Sequence, residues 1–156
     1  ARSIRAQTEF RTALGLRAYT EFSGGLSSGN GGKSGNARLN FYEAYNRLGQ
    51  EYVRFDQEIR SRFRNRKRKL RDFYDIVRCG LVHEYFVKKN FVIARRRRSH
   101  SATGVCWEGR RIVIANRNYF HAFRRMCEKY REELVLYSQS RNKFAATFKR
   151  KTYLHP

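Results

Sequence analysis

A mainly α-helical bundle of four to five helices, with a small β-hairpin inserted between a motif-bearing helix and a long C-terminal helix, is the fold class predicted for this chain. Apolar residues recur at three- and four-residue steps along most of the sequence, the period of a one-sided helical stripe. The exceptions are short β-branched runs within residues 91–115, separated by turn residues, which read as strands. With 40% apolar and 15% aromatic residues and a single proline in 156, the chain holds enough hydrophobic material to fold.

The length suits one domain, 1–156. Ile4, Phe10, Ala13, Leu14, Ala18 and Phe22 predict a first helix from Ser3 to Phe22, cut by Gly24 and Gly25. Residues 23–36 hold six of the eleven glycines and read as a flexible Gly-rich loop. Leu39 to Leu48 predicts a short helix ended by Gly49, and Tyr52 to Phe63 another. From Leu70, a strongly apolar helix follows through Phe73, Tyr74, Val77, Leu81 and Phe86. The 91–115 segment reads as a β-hairpin appended to the helices. Asn116 or Asn118 is a candidate N-cap for a long helix reaching Tyr137, its core side given by Phe120, Phe123, Met126, Cys127, Tyr130 and Leu134. Residues 139–156 form a basic C-terminal extension, with a last helix around Phe144 to Phe148.

Charge sets the function class. The 35 Lys and Arg outweigh 13 Asp and Glu, a net +22 whose self-repulsion in a compact domain is relieved by a polyanion. Arg supplies 26 of the 35, and its planar fork binds phosphate in two places and stacks on bases, which favours RNA. The excess gathers in two runs. Residues 60–71 carry eight basic side chains in twelve, with Arg62, Arg64, Arg66, Lys67, Arg68, Lys69 and Arg71 the expected phosphate contacts. Arg95, Arg96, Arg97 and Arg98 form the second run. Phe63, Tyr74 and Trp107 stand beside these runs as base-stacking candidates, although aromatics at such spacing more often belong to a core.

Cys79, Cys106 and Cys127 make neither a disulfide scaffold nor a CxxC site, which points to a reducing, cytoplasmic setting. No run approaches the length of a membrane span, and no secretory signal is read at Ala1, so no membrane partner is expected. Cys79 and His83 lie one helical turn apart, but no second pair stands at ligand spacing, so neither metal nor cofactor is expected. Gly31 to Ser34 ends like a P-loop, yet the first glycine of that motif falls on Ser27 and the preceding segment is helical, so a connector is the better reading.

Three Arg-x4-His matches occur. Arg95 with His100 and Arg150 with His155 lie in a basic loop and at the C-terminus, without a Tyr two residues later. Arg78, His83 and Tyr85 stand on the apolar helix and have that Tyr. This segment resembles the HEPN superfamily, small helical-bundle proteins that include RNA-cleaving toxins and defence nucleases, whose signature is Arg, four to six residues, then His, in some toxins followed by Tyr. The resemblance implies a homodimer in which two such helices face one another, with Arg78 and His83 catalytic and Tyr85 lining the cleft. His moves a proton near neutral pH and Arg stabilises charge developing on phosphorus. Attack by the RNA's own 2′-OH needs no metal and leaves a 2′,3′-cyclic phosphate. The family usually has a polar residue after the Arg, where this chain has Cys79. The alternative is that Arg78 pairs with Asp72 or Asp75, His83 is interior, and the protein is a non-catalytic RNA-binding or scaffolding subunit of a ribonucleoprotein. A cognate antitoxin acting on Tyr85 is a further partner that the resemblance implies.

Overall fold

The structure is a computed structural model that describes residues 2–31, 33–63, 72–78, 91–95 and 103–152. Among these residues the order is α1 (Arg2–Ser28), α2 (Ala37–Tyr45), α3 (Gln50–Phe63), α4 (Phe73–Arg78), β1 (Phe91–Ala94), β2 (Val105–Glu108), β3 (Arg111–Ala115), α5 (Asn116–Leu136) and α6 (Ser138–Thr152). The fold is therefore mainly helical with a small sheet between helices, as the periodicity predicts.

The first helix runs past the glycines. α1 buries Ala13, Leu16, Thr20 and Gly24, steps of three and four that form one stripe facing α2. A Cβ on Gly24 would stand 1.7 Å from the Asn40 carbonyl oxygen, so glycine here allows two helix backbones to touch. The predicted break at Gly24 and Gly25 is thus a close contact, and residues 23–28 are helix rather than loop. The chain leaves α1 at Gly29, whose φ of +75° is the left-handed conformation that ends many helices. Gly31 then meets α6, where a Cβ would lie 2.3 Å from Thr147 Cγ2, and Thr147 Oγ1 donates to the Gly25 carbonyl at 3.2 Å. Part of the predicted C-terminal extension is accordingly a docked helix.

The core is aromatic. Tyr45, at its centre, stacks on Phe41 and Phe73 with ring centroids 5.3 and 5.0 Å apart, and meets Tyr52 edge-on at 5.6 Å. Tyr52 in turn meets Tyr119 of α5 at 5.7 Å. Offset and edge-on pairs of this kind contribute about 0.5–1.5 kcal/mol each beyond area burial.

The sheet is larger and better buried than the predicted appendage. β2 and β3 form the expected antiparallel hairpin, turning at Gly109 with φ +59°, and β1 adds to the far edge of β3 in parallel, giving the order β1-β3-β2. The central strand is buried from Ile112 to Ala115, which is why its residues read as an unbroken apolar run rather than an alternation. Phe91, Val105, Ile112 and Ile114 belong to the same cluster as the helical aromatics. Gly104 leads into β2 against α5, where a Cβ would be 2.4 Å from Tyr119 Cα, and its N–H donates to Tyr52 Oη at 2.9 Å.

α5 follows β3 directly. Tyr119, Ala122 and Met126 are its buried stripe, with Phe123 and Cys127 packed at the margin, while Phe120 and Tyr137 face outward. Asn116 makes no side-chain cap. Its Nδ2 donates to the backbone oxygen and Oε2 of Glu9, at 2.8 and 2.7 Å, and so ties α5 to α1.

Replacing Gly24 by Ala forces α1 and α2 apart. A loss of about 3 kcal/mol in unfolding free energy is expected, the upper end of overpacking effects, and urea denaturation measures it. An unchanged midpoint would mean that the two backbones do not touch.

Candidate nucleic-acid interface

Asp72, which precedes α4 in the chain, is fully buried. It caps α4: its Oδ1 accepts from the Asp75 N–H at 2.9 Å, satisfying one of the donors left free in a first helical turn. Its Oδ2 receives the guanidinium of Arg38 from α2, and Arg60 from α3 stands 3.5 Å away. Arg38 also holds Asp75 at 3.1 Å. Beside this group Asp56 accepts from Tyr42 Oη at 2.8 Å, from the Phe73 N–H at 2.8 Å and from Arg60 Nε at 2.6 Å. Two arginines, three carboxylates and one phenol thus fasten the first turn of α4 to α2 and α3. For both arginines partial burial opposes the charge, but hydrogen bonds to and attraction by the aspartates outweigh it and raise the guanidinium pKa. Burial first, then the charge of Asp56, push the Tyr42 phenol well above its ordinary range.

This seat places the backbone of Arg78 at the last position of α4. His83 and Tyr85 lie outside the described residues, as do Cys79, Arg64, Arg66, Lys67, Arg68, Lys69, Arg71, Arg96, Arg97 and Arg98. Asp72 and Asp75, the partners considered for Arg78, are engaged by Arg38 and Arg60 from other helices.

The expected contacts Arg62 and Arg95 are both exposed. The Arg62 guanidinium stands over the Trp107 ring, its carbon 4.1 Å from the centroid, and Phe55 meets the same indole at 5.7 Å. Stacking uses the face of a guanidinium and leaves its in-plane N–H donors for a phosphate. Trp107 stands on β2 close to the hairpin turn, so this contact joins the end of α3 to a tip that carries exposed Arg110 and Arg111. Arg95 follows β1 directly, and its carbonyl accepts from the Arg117 N–H at 2.9 Å, which brings exposed Arg117 beside it. Cationic side chains therefore stand at both ends of the sheet.

Of the stacking candidates, Tyr74 is core, 3% exposed, and Phe63 is half-buried against the core. Arg110, Arg111 and Arg117 were not singled out from sequence, and Phe120, expected on the core side of its helix, is exposed instead. The arginines sit outside any basic run, and Phe120 shares a helix with a competing apolar stripe. Lys33 donates to Asn30 Oδ1 at 2.9 Å in the turn after α1. Cys106 is buried and Cys127 half-buried, and neither forms a disulfide. Among the described residues no group of three His, Cys, Asp or Glu is placed to hold a metal ion, and no helix is long and apolar enough to cross a membrane. No family model, curated protein or solved structure matches the chain.

Asp72→Ala removes cap and charge together and is expected to lower stability by about 3 kcal/mol, whereas Asp72→Asn keeps a capping oxygen and costs less. Equal stability of wild type and Asp72→Ala in urea would contradict the anchoring role. Alkali is a second probe. Burial pushes the Tyr52 phenol from its ordinary 10 up to about 12, against the opposing Gly104 hydrogen bond. Tyr45 and Tyr119 are raised chiefly by burial too. Above pH 10 the unfolded chain loses phenol protons that the folded chain keeps, so stability is held below that pH and declines as pH rises toward 12. Denaturation midpoints followed with tyrosinate absorbance are expected to fall together across that window.

Proposed function

We propose that the protein is an RNA-binding domain whose contact surface surrounds its small sheet, and that, as the HEPN resemblance implies, it is a metal-independent endoribonuclease using Arg78 and His83 with Tyr85 in the cleft of a homodimer. The observation that carries the binding reading is the Arg62 guanidinium displayed on Trp107 beside Arg110 and Arg111, in a chain of net charge +22. A guanidinium held over an indole by cation–π attraction has less freedom to lose when its N–H donors meet a phosphate. The seating of α4 by Asp72 supports the catalytic reading, because a reacting group needs a rigid helix beneath it. That Cys106 and Cys127 form no disulfide fits a reducing, intracellular setting.

Single-stranded RNA is expected to bind with an affinity that falls steeply with salt, in log–log proportion to the number of phosphates neutralised, and Arg62→Ala is expected to lower that slope by about 0.7. A salt-independent affinity would contradict phosphate recognition. In EDTA, wild type is expected to cleave RNA to a cyclic phosphate while Arg78→Ala and His83→Ala do not. Binding without cleavage by any of the three assigns the protein to the non-catalytic class of ribonucleoprotein subunits.

A further inference from the structure

The carboxyl ends of the parallel strands β1 and β3 open into a groove of about 860 Å³, bounded by α1 on one side and the first turns of α5 on the other. Its volume falls within the range of small-ligand sites, roughly 300–1,000 Å³. Arg95, Arg117 and Phe120 line it, opposite Thr8 and Glu9. The hydrogen bond from the Arg117 N–H to the Arg95 carbonyl fixes the points from which the two guanidinium stems rise. Phe120 is three residues after Arg117, on the same side of α5, and is 47% exposed.

The polar groups on the α1 side make hydrogen bonds within the protein. Glu9 accepts twice from Asn116, through its backbone oxygen and Oε2, and the Thr8 hydroxyl donates back to the Ile4 carbonyl at 3.0 Å. Cationic donors for a ligand therefore come from Arg95 and Arg117, and the large apolar face comes from Phe120. Asn116, 3% exposed, also lines the groove, and its Oδ1 has no hydrogen-bond partner among the described residues. Two guanidiniums beside one exposed ring suit a ligand that is anionic at one end and flat and apolar-faced at the other.

We propose that this groove is a nucleotide subsite, holding one residue of a bound RNA strand with its phosphate on Arg95 and Arg117 and its base stacked on Phe120. The assignment rests on the RNA-binding reading above and adds to it a defined place and a contact that charge does not supply.

Fluorescence anisotropy with a mixed-sequence single-stranded oligoribonucleotide tests it, with inorganic polyphosphate as a charged probe that has no bases. Phe120→Ala, at an exposed position, is expected to weaken RNA binding roughly five- to fiftyfold, with salt slope and polyphosphate affinity unchanged. Phe120→Trp is expected to retain binding. Arg117→Ala is expected to weaken both ligands and to lower the RNA salt slope by about 0.7. Arg131→Ala removes the same charge about 21 Å further along α5 and is expected to cost less. RNA is also expected to bind more tightly than 5′-AMP, which distinguishes one nucleotide of a chain from a free nucleotide.

Phe120→Ala binding RNA as tightly as wild type overturns the subsite and leaves RNA binding standing. Arg131→Ala costing as much as Arg117→Ala, or 5′-AMP binding more tightly than RNA, overturns it likewise. A wild-type protein that binds no RNA removes both readings.

Discussion

Asp72 is the constraint on which the arrangement depends. A carboxylate with no exposed surface is costly to bury unless charge and hydrogen bonds meet it, and here a guanidinium from α2, another from α3 and the first turn of its own helix do so. Each partner belongs to a different element, so the same side chain that caps α4 also fixes how α2, α3 and α4 meet. Asp56 repeats the device one layer away, where it takes the Phe73 N–H. The aromatic core then packs against a helix whose start is already fixed, with Phe73 on Tyr45 and on Phe55.

The interior arrangement has a consequence for the surface. Five carboxylates are tied to neighbouring side chains: Asp56, Asp72 and Asp75 to Arg38 and Arg60, Glu133 to Arg47, Glu9 to Asn116. Arg62, Arg95, Arg110, Arg111 and Arg117 remain exposed around the sheet. Their placement at both ends of three short strands turns a net charge, which speaks only of an anionic partner, into a surface with a shape. Phe120 gives that surface an exposed aromatic ring, the element that separates a nucleic-acid site from a plain polyanion site.

The helices and the hairpin were legible because burial imposes a period on the sequence, although the strongest apolar stripe, from Leu70 through Phe86, lies largely outside the described residues. Gly24 was not, since a glycine that breaks a helix and one that lets two helices touch look alike until the partner, Asn40, is in view. α5 shows a second limit: Tyr119 and Phe120 are adjacent and both aromatic, so the apolar pattern fits two phases, and only packing against Tyr52 and Thr20 selects the first. β1 was seen as an extended run, but its parallel pairing with β3 depends on where the chain returns. Asn116 looked like a cap and proved to be a tie to Glu9. Of the candidate site, Arg62 and Arg95 were found by their charged runs, whereas Arg117 was invisible because its neighbours in the groove come from distant parts of the chain, and Phe120 was read as core.

The most direct measurement is photo-cross-linking of thiouridine-substituted RNA to the intact protein, with the attached peptides identified by mass spectrometry. Cross-links are expected on the peptides that carry Arg62 and Trp107 and on those that carry Arg95, Arg117 and Phe120, at the two ends of the sheet. Cross-links confined to α6 and the outer face of α1, with none at the sheet, would contradict recognition of RNA through this surface.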